Sequence, residues 1–472
     1  MPISFDGREL LSKRGFSFDA NTGKISGFNS NIFAKFISEN YKIIYTKEGC
    51  FYAYRKGKWL IKDDRGVLVK LREILQEPHF GVWTLKREKE YVEALKRTIY
   101  YDGDMNPYRN YVNLQNGMFD LEEFQLEDHR SEFYSSIQIP IEFNPDAQCP
   151  LFKRFLEQVF EGDSQRIEVA QEWVGYLISP ETKAQKALIL WGSGANGKGV
   201  FVETISALIG EDNISHIALN ELHKGFSRVC LYNKTANISS ENETDGKGFN
   251  TQYFKGIVGE DVINAEQKNK PVFSFKPTVK LVMAMNNLPY TIDKSQGYYR
   301  RLSILHFSAF FNEAQRDKDL KEELQSELSG IFLWALEGLK RLRENNYNFS
   351  ECNSTKRILS QYEKELNPML QFCEECIVST DNETYREDNR LVYNTFKNWA
   401  IGNGLRNYLN ISSQKFWREF EDCIRQLGYK CEKGKSNVLR YHTGIKVVGE
   451  YKAGISLRPI NQLDLTIDNQ AI

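Results

Sequence analysis

Residues 188–204 read Leu-Ile-Leu-Trp-Gly-Ser-Gly-Ala-Asn-Gly-Lys-Gly-Val-Phe-Val-Glu-Thr. An apolar run ends at Trp191, a glycine-rich loop follows, and Val200, Phe201, Ile205 and Leu208 then recur at helical spacing. This is the pattern of strand, loop and helix. Glycines let the backbone turn so that its N–H groups converge on phosphate. The helix N-terminus adds partial positive charge, and a lysine at the end of the loop reaches the β- and γ-phosphates. Gly192, Ser193, Gly194, Ala195, Asn196, Gly197, Lys198 and Gly199 are therefore the candidate nucleotide-binding residues. Gly199 stands where Ser or Thr commonly offers a hydroxyl to Mg²⁺, so water or another side chain has to fill that position; Thr204 is the nearest weak candidate.

Composition narrows the classes. The chain has 472 residues, enough for two to four domains, and is 41% hydrophobic. Its net charge of −1 means that any nucleic-acid binding has to use local patches or a channel. It contains no run of about 18 apolar residues and no signal-peptide pattern, which predicts a soluble cytoplasmic protein without a membrane partner. Of eight cysteines only Cys373 and Cys376 form a Cys-x-x-Cys, with no second pair or histidine to complete a zinc site.

Patterning predicts five segments. Residues 1–105 form an α+β module with a hairpin at 51–60. Residues 106–185 form a helical domain, with a turn at Asn116-Gly117 and helices near 151–160 and 167–177. Residues 186–345 alternate strand and helix as an α/β core, and 346–389 are a helical connector (one helix over 354–378) and linker. Residues 390–472 form a small C-terminal unit.

A phosphate loop that hydrolyses its nucleotide needs an acid at the end of a neighbouring strand. The stretch from Thr235 to Glu243 supplies a short strand ending in Ser240, Glu241 and Glu243. Glu241 is the first choice for the group orienting water, Glu243 the second, and Ser240 with Glu241 would hold Mg²⁺ through nucleotide and water. A second buried strand ends in Asn286-Asn287 before Pro289, where an amide can sense a terminal phosphate. Arg300 and Arg301 precede a third strand; an arginine so placed can stabilise a transferring phosphoryl group. Between them, Asp261 to Lys276 reads as a hairpin with Lys268 and Lys270 at its tip, suited to a phosphate backbone or equally to an ordinary charged turn.

This order, with Gly194-Ala-Asn-Gly-Lys198, Lys255-Gly-Ile-Val-Gly-Glu-Asp261 and Asn286-Asn-Leu-Pro289, resembles the superfamily-3 helicases, and among them the phage/plasmid and poxvirus-type primase-helicase group. Flanking segments Asn116–Leu121, Phe143–Pro150, Gly175-Tyr-Leu and Gly330–Gly338 extend the resemblance over about residues 105–450. It implies an α/β AAA+ P-loop ATPase core between an N-terminal mixed/helical domain and a C-terminal winged-helix domain. It further implies ATP and Mg²⁺, a homohexameric ring, and translocation on single-stranded DNA. By motif match Lys198 binds phosphate, Glu241 is the catalytic acid, Asn286 the sensor, Arg300 or Arg301 the finger acting in trans, and Lys268 and Lys270 touch DNA. Residues 1–105 carry no recognisable primase pattern, so the expectation is a helicase without primase activity that works with a separate primase or host replication proteins. Their own role is open between a collar, an interaction module and a DNA clamp.

The C-terminal unit reads as two helices and a basic hairpin. The second helix starts at a Ser412-Ser413 cap and repeats apolar residues at 416, 420, 424 and 427. Lys415, Arg418 and Arg425 on that helix, with Lys430, Lys433, Lys435 and Arg440 in the hairpin, would face duplex DNA in a winged helix. The expected function is an ATP-dependent replicative DNA helicase of a phage, plasmid or other mobile element. The alternatives are an origin-binding initiator whose ATPase switches assembly, and a P-loop NTPase acting on protein.

Overall fold

Three apolar runs become neighbouring strands of one sheet. We number its strands β1 (Ala187–Trp191), β2 (Ile214–Ser215), β3 (Ala236–Ser239), β4 (Lys280–Met285) and β5 (Leu302–His306). Every pairing is parallel and the order is β2-β3-β4-β1-β5. In β1, Ala187 to Leu190 are each 0% exposed. A strand covered on both faces needs a continuous apolar run rather than alternation, and that run is what this sequence provides. The computed structural model describes residues 5–240, 248–268, 272–317, 319–382 and 384–452.

The chain divides into two units, Met1–Leu359 and Ser360–Ile472. In the first, the sheet is flanked by helices α1 (Pro150–Val159), α2 (Ser164–Ile178), α3 (Lys198–Ile209) and α4 (Leu328–Glu344). Phe152, Leu156, Trp173, Phe201, Ile331 and Leu339 share one core with β1 and β4. Polar groups inside it are satisfied. Glu327, at the start of α4, accepts from the backbone N–H of Leu151 and Phe152 at 3.0 and 2.9 Å, so it caps α1. Glu172 is fully buried in α2 and accepts from Arg341 Nε at 2.8 Å and Ser350 N at 2.8 Å. A carboxylate withdrawn from water is tolerable only when it is paired in this way.

The segment 106–185 is not helical throughout, as the sequence reading expected. Tyr111–Leu114, Gly117–Asp120 and Gln125–Glu127 form an antiparallel sheet ahead of α1. These strands are three or four residues long and Gly117–Asp120 is buried on both faces, so no period-two alternation marks them. The N-terminal residues form a four-stranded sheet containing the expected hairpin, Phe51–Arg55 with Lys58–Lys62. Helices Ser30–Asn40 and Leu85–Thr98 meet through Phe33 and Tyr91, whose rings are 5.0 Å apart.

The second unit is built on α5 (Pro368–Cys376), α6 (Asn389–Gly402) and α7 (Ser413–Gln426), with short strands at Ile377–Ser379, Glu387–Asp388, Glu432–Lys435, Arg440–Thr443 and Ile445–Val447. The single helix expected over 354–378 is two, because Pro368 forces Asn367 out of helical backbone. Phe372, Cys376 and Ile377 pack with Phe396, Trp399 and Phe420. The stretch read as connector and linker thus supplies part of the C-terminal core. Among the described residues no helix is long and apolar enough to cross a membrane.

Candidate functional site

The loop 192–197 leaves the carboxyl end of β1 and opens α3. In a parallel sheet that edge, at the point where strand order reverses, is where ligands bind. Here the chain runs from β1 out to β2, returns through β3 and β4, and crosses to β5, so β1 lies at the reversal. Gly197 caps α3 at φ 85°, and a Cβ there would stand 2.4 Å from Val159 Cγ1 of α1. No other residue fits both the left-handed backbone and the contact. A Cβ at Gly194 or Gly199 would meet nothing within 4 Å, so the loop faces open space.

Lys198 is buried and donates to Gly192 O and, at 3.3 Å, to Asn286 Oδ1 at the end of β4. Burial holds its ammonium below the ordinary lysine range. Asn196 donates from Nδ2 to Phe307 O at 3.1 Å, and Phe311 N donates to Ala195 O at 2.8 Å. The segment after β5 therefore forms one wall of the loop. Trp191 spans the strand ends: its Nε1 donates to Asn286 O at 2.9 Å and its ring lies 4.6 Å from that of His306. Burial first, then Arg166 and Arg357, lower the pKa of His306 and favour its neutral ring. Arg166 in turn donates to His306 O and Ser308 Oγ at 2.9 and 2.8 Å.

The donors present fit a polyphosphate: a buried ammonium, an amide and an open glycine cradle converge at one sheet edge. The fit to Mg²⁺ is thinner. Gly199 offers no hydroxyl, and Thr204, 3% exposed on the next turn of α3, turns its Oγ1 back to donate to Val200 O at 2.8 Å. Ser240 follows β3 and is exposed, while Glu241 and Glu243 lie outside the described residues. Among the described residues no cluster of three His, Cys, Asp or Glu could hold a metal ion.

Lys198 and Asn286 thus meet, whereas the two arginines stand apart from them. Arg300 and Arg301 precede the amino end of β5, and Arg301 O bonds Ala187 N at the start of β1. They lie about 17 Å, one five-residue strand length, from the loop of the same chain. The hairpin expected over 261–276 is formed by Ile263–Ala265 and Phe273–Phe275. Lys268 is exposed near its end, and Lys270 lies outside the described residues. Arg228 ties the base of the hairpin to the turn Gly225–Arg228, donating to Asn264 O at 2.7 Å and His223 O at 2.6 Å. That turn presents Phe226, 61% exposed, which no spacing in the sequence marks out.

In the second unit Lys415 and Arg418 are exposed on α7, and Ser412 caps it as expected. Lys433 lies 3.5 Å from Glu421, Arg425 pairs with Asp422, and Lys435 and Arg440 are exposed on the hairpin. Lys433, Lys435 and Arg440 line an open groove of about 780 Å³ floored by Trp417, whose ring stacks 5.0 Å from that of His442.

Comparison with known proteins bears on this arrangement. Residues 190–301, from the end of β1 to Arg301, match a family of unknown function, DUF5906. Residues 32–161 match a family described as D5 N terminal like. The mimivirus protein "Putative helicase L207/L206" (Acanthamoeba polyphaga mimivirus) is 26% identical over 352 residues, 61% of this chain and 36% of the viral one. "Putative helicase 121R" of Invertebrate iridescent virus 3 is 22% identical, over 66% of this chain and 37% of its own. The chain spans little more than a third of the length of these relatives. Both viral relatives are named putative helicases, and this chain resembles a part of each. Its fold is shared with the apo structure of the NrS-1 C-terminal region (305–718), at 14% identity and a TM-score of 0.54, covering 89% of this chain and 100% of that one. A second apo form of the same region matches at 15% identity and a TM-score of 0.50.

Proposed function

We propose that this chain is the ATP-hydrolysing motor of a replicative DNA helicase from a phage, plasmid or other mobile element, working as a homohexameric AAA+ ring of the superfamily-3 kind. The observation that carries the reading is the meeting of Lys198 Nζ and Asn286 Oδ1, 3.3 Å apart, across adjacent strand ends beside the glycine loop. Insertion of β4 between β1 and β3 moves the strand that leads to Glu241 one place away from the loop. Asn286, at the end of the intervening strand, stands beside the loop and Lys198.

When ATP and Mg²⁺ are bound, they supply the phosphoryl group whose hydrolysis drives movement. The chain's own part is to bind and orient. The loop backbone and Lys198 hold the β- and γ-phosphates, Asn286 fixes the terminal phosphate, and Glu241 takes a proton from water. The arginines cannot reach their own loop, which supports their use by a neighbouring copy. Lys268 and Lys270 would follow the backbone of single-stranded DNA in the channel, and the exposed Phe226, on the turn tied to the hairpin through Arg228 and Asn264, would offer a stacking face. The C-terminal unit, with helix, hairpin and basic groove, is read as a winged helix that binds duplex DNA.

The test is unwinding of a forked duplex with ATP by wild type, Lys198→Ala and Glu241→Gln. The expected result is unwinding by wild type and at least a hundredfold loss in each variant. ATP hydrolysis and duplex binding without unwinding would instead favour an initiator whose ATPase switches its assembly.

A further inference from the structure

We propose that Phe310 is the platform on which the nucleobase of the bound nucleoside triphosphate stacks; this rests on the nucleotide reading above. The segment Phe307–Phe311 is pinned along the phosphate loop. Phe307 O accepts from Asn196, Arg166 Nη1 donates to Ser308 Oγ at 2.8 Å, and Phe311 N donates to Ala195 O at 2.8 Å. Glu161, at the corner between α1 and α2, also accepts from Ser308 Oγ. Phe307 is 1% exposed and Phe311 packs on the core, yet Phe310 between these anchors is 71% exposed. The backbone on both sides of it is therefore fixed while its ring faces water.

Direction decides what the ring is for. Lys198 and Asn286 mark the terminal-phosphate end of the site, on the β4 flank of β1. The segment carrying Phe310 leaves β5, on the opposite flank. A triphosphate laid along the loop with its last phosphate at Asn286 sends its nucleoside away from β4, toward Phe310. A π-face held there without an aromatic partner among the described residues suits a flat heteroaromatic base. The cradle reads phosphate, and the phenylalanine adds affinity that only the base can use.

The experiment measures binding of ATP and of inorganic tripolyphosphate, each with Mg²⁺, to full-length wild type, Phe310→Ala, Phe310→Trp and Lys198→Ala. The expected result is ATP binding weakened five- to a hundredfold in Phe310→Ala, as loss of one base stack gives. Tripolyphosphate binding should be unchanged, and Phe310→Trp should restore ATP affinity. Equal losses for both ligands, or no loss of ATP, would overturn the platform while leaving the phosphate loop intact. Failure of tripolyphosphate to compete with ATP in wild type, with Lys198→Ala binding ATP normally, would overturn the nucleotide reading and the platform with it.

Discussion

Arg300 and Arg301 are chain neighbours placed in different surroundings. Arg301 is half-buried, turns back to donate from Nη1 to Gly297 O at 2.5 Å, and has its pKa lowered by burial first and by Arg300 second. Arg300 is exposed, and its backbone carbonyl is held by Lys186 Nζ at 2.8 Å, so the side chain springs from a fixed point into solvent. On the ring reading proposed above, a group that must cross to another subunit has to be free of its own, so the finger would be Arg300. Arg300→Ala should lower ATP turnover about a thousandfold with little change in ATP affinity. Arg301→Ala should chiefly lower the melting temperature, since it removes the partner of the half-buried Gly297 carbonyl. Mixing inactive Arg300→Ala with inactive Lys198→Ala should restore part of the ATPase, because some sites then combine an intact loop with an intact finger; absence of any restored turnover would exclude action in trans. The difference between the arginines is invisible in the sequence, where both precede an apolar strand. Lys198 and Asn286 were legible because a glycine loop and an abrupt polar strand end are local signals. The Trp191–His306 contact and Phe310 were not, because their meaning depends on which strands lie side by side.

At the scale of elements, α2 and α4 approach more closely than ordinary side chains allow. A Cβ on Gly338 would stand 2.4 Å from Gln171 O, while Gln171 Nε2 donates to Trp334 O at 2.8 Å across the same contact. On an exposed helix Gly→Ala stabilises by up to about 1 kcal/mol. Here the added methyl meets backbone, and overpacking costs about 1–3 kcal/mol. Gly338→Ala should therefore lower the melting temperature by several degrees, and the sign of the shift is the test. A rise would mean that the helices are not in contact at this point. Helical periodicity made α2 readable at 167–177, yet it carried no information on how near a second helix passes. The sheet at 111–127 escaped for a different reason: buried strands of three or four residues lack any period.

For the molecule as a whole, the decisive question is where the C-terminal unit begins. A cut at residue 389 would leave Met369, Phe372, Cys376 and Ile377 on one fragment and Phe396, Trp399, Phe416 and Phe420 on the other. Both fragments would then expose half a core. The contact boundary between Leu359 and Ser360 leaves that core whole, with Lys415, Arg418, Lys433, Lys435 and Arg440 on its surface. With a net charge of −1 over the chain, sequence-wide attraction to DNA is absent, so the duplex binding proposed above would have to arise from such a local set. Each phosphate neutralised adds about 0.9 to the slope of log affinity against log salt. Residues 360–472 alone should therefore bind duplex DNA with a slope near that of the full chain. Lys433→Ala/Lys435→Ala should flatten that slope by about 2 without preference for sequence. Residues 1–359 should keep ATP hydrolysis and lose most duplex binding. Should the slope stay with residues 1–359, the duplex-binding surface belongs to the first unit, and the basic groove beside Trp417 serves another partner.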